Sequence, residues 1–223
     1  MIRRPPRSTL DRSSAASDVY KRQEYGSPTN SQKGQWEYLD NGQIRIGVNK
    51  SRGACIGFFG DSKTKRNVLN HYDRGRFIQQ SYYGDRDGSN WNGKPWRYNP
   101  IQGGSWRGKD ARVLEVRIHQ DNAKLYAKVE PRHWADGKLC PEVVMEQWIS
   151  LEGALAHVRS RMTYKGKGHS MARDQEMPAV FVDAVLKNLV YANQGKLVRR
   201  VPGWPNELGN SSEDWFSYRE DKD

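Results

Sequence analysis

The stretch "VVMEQWISLEGALAHVRSRM", Val143 to Met162, decides how this chain folds. Val143, Met145, Gln147, Ile149 and Leu151 alternate with Val144, Glu146, Trp148 and Ser150. Beyond Glu152-Gly153, Ala156, Val158, Ser160 and Met162 alternate with His157, Arg159 and Arg161. A period of two sends successive side chains to opposite faces of an extended backbone, so each half reads as a strand with one buried and one wet face. Glu152-Gly153 supplies the left-handed backbone that a tight reversal needs. The same alternation recurs in Ile44, Ile46, Val48, in Leu114, Val116, Ile118, and in Leu125, Ala127, Val129, with Asp121-Asn122 as the turn between the last two. An earlier strand holding Ile56, Phe58 and Phe59 ends at Gly60-Asp61-Ser62-Lys63. No stretch gives a helix of three turns. Strands recurring roughly every eight to twelve residues predict an all-β chain of two packed antiparallel sheets.

The composition agrees with a folded domain. The chain has 223 residues, 35% hydrophobic and 11% aromatic, with mean hydropathy −0.96. Disordered chains are poor in aromatics, and this one is rich in them. No apolar run is long enough to span a membrane. The net charge of +11 would point to a polyanionic partner, but it is unevenly placed. The first 23 residues, "MIRRPPRSTLDRSSAASDVYKRQ", show no amphipathic period and lack the apolar centre of a signal peptide. They resemble translated sequencing-adapter read-through, and are set aside as a non-native or disordered extension. They carry six of the 37 Lys and Arg and two of the 26 Asp and Glu, so the remainder holds +7. Residues 24–35 read as a linker and 36–223 as a single β-sandwich domain. Pro202 to Asp223 shows no closing strand, so that domain is expected to be incomplete at its C-terminal end. A native secretion signal could have been lost at the other end, and a secreted or extracellular protein is the favoured reading. Cys55 and Cys140 are too few for a disulfide framework and leave one bridge or two buried thiols open.

The segment Asn70 to Gly104 is built differently. It holds four tyrosines and two tryptophans among Asn, Gln, Asp and Arg, with almost no aliphatic side chains. Aromatic rings stack on the C–H faces of sugars, while amides, carboxylates and guanidinium groups serve their hydroxyls. If Phe77 to Tyr83 is extended, Phe77, Gln79, Ser81 and Tyr83 share one face, and Arg76, Ile78, Gln80 and Tyr82 the other. Gly84 to Gly108 then reads as a long binding loop carrying Trp91, Trp96 and Tyr98. Candidate sugar-binding residues are Asp73, Arg76, Gln79, Gln80, Tyr83, Trp96, Asn99 and Gln102, joined by Arg173, Asp174 and Gln175 from the second dense polar cluster. A purely structural use of the same groups is the competing reading. Nucleic acid is disfavoured, because the basic residues are spread along the chain and no motif of the RRM or KH kind is present.

For catalysis, Glu176 stands where the second cluster enters an apolar strand. It is the candidate general acid or base, with His71 and Tyr82 as further proton-transfer groups. Hydrolysis would need two carboxylates, drawn from Asp73, Glu146 and Glu176. A lyase would pair Tyr82 or His71 with Arg76 or Arg173, and the positive balance suits an acidic polysaccharide. Asp85 to Asn90 is a fragment of a calcium loop without its distal Glu, and the five histidines lack metal-ligand spacing, so no metal is expected. No phosphate-cradling glycine loop is present, so no nucleotide cofactor is expected.

Three runs carry a family resemblance: "IRIGVNKSRGACIGFFGDSKTKRNVLNHYDRGRFIQQSYYG", "PWRYNPIQGG" and "ARDQEMPAVF". They resemble uncharacterised β-sandwich proteins found near carbohydrate metabolism. The opening, through Ile44–Val48, Gly53-Ala54-Cys55-Ile56 and Asn67–Asn70, is similar to galactose-mutarotase-like domains, and the resemblance covers about Trp36 to Tyr191. It implies a supersandwich that binds sugar on a concave sheet face, in a superfamily of epimerases, accessory domains of glycosidases and polysaccharide lyases. Mutarotases use a His and a Glu as acid and base, and no motif here places that His. The resulting expectation is carbohydrate binding, within a glycoside hydrolase or lyase or on its own. A non-catalytic structural or protein-interaction sandwich is the alternative. Oligomeric state is not readable.

Overall fold

A computed structural model describes residues 34–71, 77–170, 175–203 and 211–221. The set-aside extension, and Asp73, Arg76, Arg173 and Asp174 among the candidate residues, lie outside them. Sixteen strands follow in order: β1 (Trp36–Asp40), β2 (Ile44–Asn49), β3 (Cys55–Asp61), β4 (Gln79–Ser81), β5 (Asn90–Trp91), β6 (Lys94–Pro95), β7 (Pro100–Ile101) and β8 (Arg112–His119). Then come β9 (Lys124–Glu130), β10 (Arg132–His133), β11 (Val143–Glu152), β12 (Leu155–Tyr164), β13 (Glu176–Ala179), β14 (Asn188–Asn193), β15 (Lys196–Arg200) and β16 (Phe216–Arg219). Every strand pair is antiparallel. No helix among the described residues is long and apolar enough to cross a membrane. The all-β expectation holds.

Two layers enclose the core. One is the sheet β12-β11-β9-β8, and the other is β1-β2-β3. The second continues into β10-β7-β4-β13 through a two-way backbone bond between Ile56 and Ile78 (3.2 and 2.9 Å). Leu125, Ala127, Val129, Val143, Met145 and Ile149 from the first layer meet Leu39, Ile46, Val48 and Ile56 from the second, all nearly solvent-free. The hairpin β11-β12 is as its alternation predicts. Glu152 pairs with Leu155 and Gly153 takes φ 54°.

Some local expectations are corrected. In β8 a bulge between Val113 and Glu115 shifts the alternation. Val113, Val116 and Ile118 pack on the core while Leu114 is exposed. A bulge adds one residue and so moves the preceding side chains to the other face. In the β8-β9 connection the left-handed residue is Ala123 (φ 46°), which closes a 3₁₀ turn over Gln120–Asn122, instead of Asp121-Asn122. The "loop" from Gly84 to Gly108 contains the β5-β6 hairpin and β7. The C-terminal segment supplies β16, paired along β14 from Asn188↔Arg219 to Tyr191↔Phe216. Those strands are short and unpatterned, so local sequence carried no period to detect.

A buried amide network ties the layers together. Gln147, in the core-facing row of β11, donates to the Ala54 carbonyl and accepts from Gln102 Nε2 (3.4 Å). Gln102 Nε2 also donates to the Gly53 carbonyl (3.1 Å), and Gln80 Nε2 to the Glu146 carbonyl (2.9 Å). At Gly53 and Ala54 these amides satisfy carbonyls that lie outside the strand ladders, as buried backbone requires.

Both cysteines are free and buried. Burial holds Cys55 well above the usual thiol range, and burial with Glu142 pushes Cys140 up to about 12. Only thiolate attacks, so both thiols are expected to be silent toward an aromatic disulfide reagent in the native state and to react together on unfolding. Rapid labelling of either in the native protein would contradict this placement.

Glu146 points away from the core and is 7% exposed. Burial alone would raise its pKa. Hydrogen bonds from Tyr126 Oη (2.6 Å) and Arg161 Nε (2.8 Å), with the Arg161 charge, outweigh burial and hold the carboxyl below its ordinary 4.5. A carboxyl with a depressed native pKa contributes stability above its unfolded value and loses it as pH falls through the native one. Glu146→Gln is therefore expected to lower the urea midpoint at neutral pH, with the gap to wild type closing below about pH 4. A gap that is constant with pH would show that the charge is not what matters.

Candidate functional site

The strand β4 and the residues after it alternate as the sequence implies, and this sorts the candidate groups onto two faces. Gln79 and Tyr83 face a cleft of about 130 Å³, lined also by Trp91, Trp96, Asn99, Ile101, Trp134, Glu176 and Phe181. Gln80 faces the core, and Tyr82 faces an aromatic cluster elsewhere.

The cleft wall is made of three indoles from separate elements. Trp91 comes from β5, Trp96 follows β6, and Trp134 follows β10. Trp91 stands edge-on to Trp96 with ring centres 4.9 Å apart, and 6.4 Å from Trp134. Backbone bonds fix the latter two: Trp96 N donates to Ser89 O and Trp134 N to Asn99 O, each at 2.8 Å. Asn99 is the hub. Its Oδ1 accepts from Trp96 Nε1 (3.2 Å), and its Nδ2 donates to Ser81 Oγ (3.0 Å) and Tyr82 O (2.9 Å).

The polar side of the cleft is Tyr83 with Glu176. Glu176 opens β13 and pairs with Ser81 of β4, and Tyr83 Oη donates to its Oε1 (3.2 Å). The neighbouring Gln175 clamps the Tyr83 backbone in both directions, accepting from N (2.6 Å) and donating to O (3.0 Å). Gln175 thus holds Tyr83 in place and does not line the cleft. At the back, Gln79 Oε1 accepts from Gly103 N (3.1 Å) at 2% exposure. The second carboxylate weighed for hydrolysis, Glu146, belongs to the opposite layer. Among the described residues the lining holds one carboxylate and no arginine.

Other candidate residues go elsewhere. Gln80 and Gln102 are each 1% exposed, with amides bonded to backbone carbonyls of the sandwich. His71 is 5% exposed, with Nδ1 3.0 Å from Leu69 O and 3.5 Å from Asp183 Oδ2. Tyr82 packs with Tyr98, Tyr164 and His169, ring centres 5.5–6.4 Å from its own. Burial, then Asp85, raises the Tyr82 phenol, which makes a phenolate base harder to form. The carboxylates of the calcium-loop fragment are in use. Asp87 meets His133 Nε2 (2.9 Å) and Asp85 accepts from Ser170 N (2.7 Å). No cluster of three or more metal-ligating side chains occurs among the described residues.

Sequence reading missed Trp134 and Phe181. Trp134 lies far along the chain from Trp96, and only the β10-β7 register (Arg132↔Ile101, His133↔Pro100) brings them together.

An all-β sandwich-like protein with a tryptophan-lined cleft at one end of its second layer is the class that fold and site define. Comparison with known proteins brings no match to a family, a curated protein or a solved structure.

Proposed function

We propose that this protein binds carbohydrate, a polysaccharide chain, in the Trp91–Trp96–Trp134 cleft, as a sandwich domain of galactose-mutarotase-like kind. The observation that carries the reading is the convergence of three indoles with the Tyr83–Glu176 pair. Apolar ring surface and a fixed donor–acceptor pair in one cleft match the two kinds of surface a pyranose presents. The one carboxylate that the described residues place in the lining, Glu176, suits recognition of sugar hydroxyls. Glu176 is then a binding residue, and membership of a larger carbohydrate-active enzyme would supply the chemistry.

A glycan array tests this, with wild type beside Trp96→Ala and Trp134→Ala, and Tyr82→Ala as the opposite-face control. Glycans retained by wild type and Tyr82→Ala but lost by both tryptophan variants are the expected pattern. Retention by both tryptophan variants, or no glycan bound by wild type, would overturn the reading in favour of a structural or protein-interaction domain.

A further inference from the structure

The outer face of β12-β11-β9-β8 lies on the other layer of the sandwich and is ordered by register into rows. One row across the four strands is His119, Lys124, Ser150, His157. The next is Arg117, Tyr126, Trp148, Arg159, and the third is Glu115, Lys128, Glu146, Arg161. The middle row is a continuous run of cation–ring and tilted ring–ring contacts. The Arg117 guanidinium lies 4.7 Å from the Tyr126 ring centre, the Tyr126 and Trp148 centres are 5.3 Å apart, and Arg159 lies 5.3 Å from Trp148. Above it and the first row runs an open groove of about 590 Å³.

The charge on this face is lopsided. Glu115 is matched by Arg117 (2.8 Å) and Glu146 by Arg161 (2.6 Å), while Glu152 at the hairpin end lies 3.4 Å from His157, which is an ion pair only with the imidazole protonated. Lys124, Lys128 and Arg159 have no carboxylate within ion-pair distance among the described residues. We infer that this face binds an acidic polysaccharide, sulfated or uronate-bearing, whose anionic groups meet Lys124 and Arg159 across the groove, with Arg117 shared between Glu115 and the ligand. Stacking on rings holds both guanidinium groups in place beforehand, so less side-chain freedom is lost when an oxyanion docks. Nucleic acid fits less well. Single strands bind by stacking bases on open aromatic faces, and here each ring is flanked on both sides within its row. The inference stands apart from the tryptophan cleft and survives if that reading fails.

Calorimetric titration of the full chain with a heparin oligosaccharide, polygalacturonate, a neutral cello-oligosaccharide and an oligo-dT strand tests it. One or both acidic glycans should bind more tightly than oligo-dT, in a salt-sensitive manner, and the neutral glycan should not compete with them. The double variant Arg117→Ala/Arg159→Ala should weaken acidic-glycan binding by roughly tenfold or more. Lys124→Glu, at an exposed position, should weaken it without touching the stack, and Lys63→Glu, an equal charge reversal at an exposed turn of the other layer, should leave it unchanged. Failure of both acidic glycans to bind would overturn the proposal. So would undiminished binding in the double variant and in Lys124→Glu. Tighter binding of oligo-dT, lost in the same variants, would replace it with a nucleic-acid site.

Discussion

Gly53→Ala is expected to destabilise the fold by roughly 3–5 kcal/mol, a large share of a typical domain's stability. Gly53 ends the 3₁₀ turn Lys50–Arg52 with φ 58°. A non-glycine residue there costs about 1 kcal/mol or more in backbone conformation alone. The larger cost is collision. A Cβ at this position would lie 1.9 Å from the Gln102 carbonyl oxygen and 3.1 Å from Ala111 Cβ. The Gln102 backbone cannot retreat freely, because Gln102 N is bonded to Gln80 O (2.9 Å) and its side chain to the Gly53 carbonyl. Gly42 is the built-in control, since it also has positive φ (83°) but no atom within 4 Å of its would-be Cβ. Gly42→Ala should lose only the conformational part. Urea unfolding followed by tryptophan fluorescence measures both, and equal midpoint shifts would rule out the close approach of the turn to β7.

Trp134→Ala and Trp96→Ala are expected to weaken glycan binding by about 30-fold or more each, the range of a buried aromatic anchor. Each removes one wall of a cleft of only about 130 Å³, so little stacking surface is left to substitute. The two should differ in stability. Trp96 Nε1 donates to Asn99, the hub of the local network, so its loss also frees an acceptor at a residue that is 1% exposed. Trp134 is held through its backbone, which alanine retains. Loss of binding in Trp134→Ala with the urea midpoint little changed therefore reports on the cleft itself. Glu176→Gln should keep part of the affinity, because an amide still accepts from Tyr83 but offers a sugar hydroxyl a weaker acceptor. Titration with whichever glycan the array selects decides it, and unchanged dissociation constants in both tryptophan variants would remove the cleft from consideration.

What was legible in the sequence is the set of long strands. The period of two in Val143–Met162 determined β11, β12 and which of their faces meets the core, because alternation is a local consequence of extended backbone. It went further than the fold. The outward residues Glu146, Trp148, Arg159 and Arg161 were already separated from the buried ones by that pattern. It also split Gln79 and Tyr83 from Gln80 and Tyr82. It could not say which face was a cleft, and so amides that satisfy buried backbone stood beside groups that line an opening.

The rest belonged to the tertiary structure. Short strands such as β4, β7, β10 and β13 are two to four residues long, with too few side chains to show a period, and they exist because neighbouring strands supply their hydrogen bonds. Register alone joins Trp134 to Trp96 and Tyr83 to Glu176, and register alone aligns Arg117, Tyr126, Trp148 and Arg159 in one row. Pairing between distant strands is a property of the assembled sheet, fixed by bulges, buried amides and close backbone approaches that no window of sequence contains. The sequence by itself determined that there would be two-faced strands and what each face would carry. Only the folded sheets decided which faces meet.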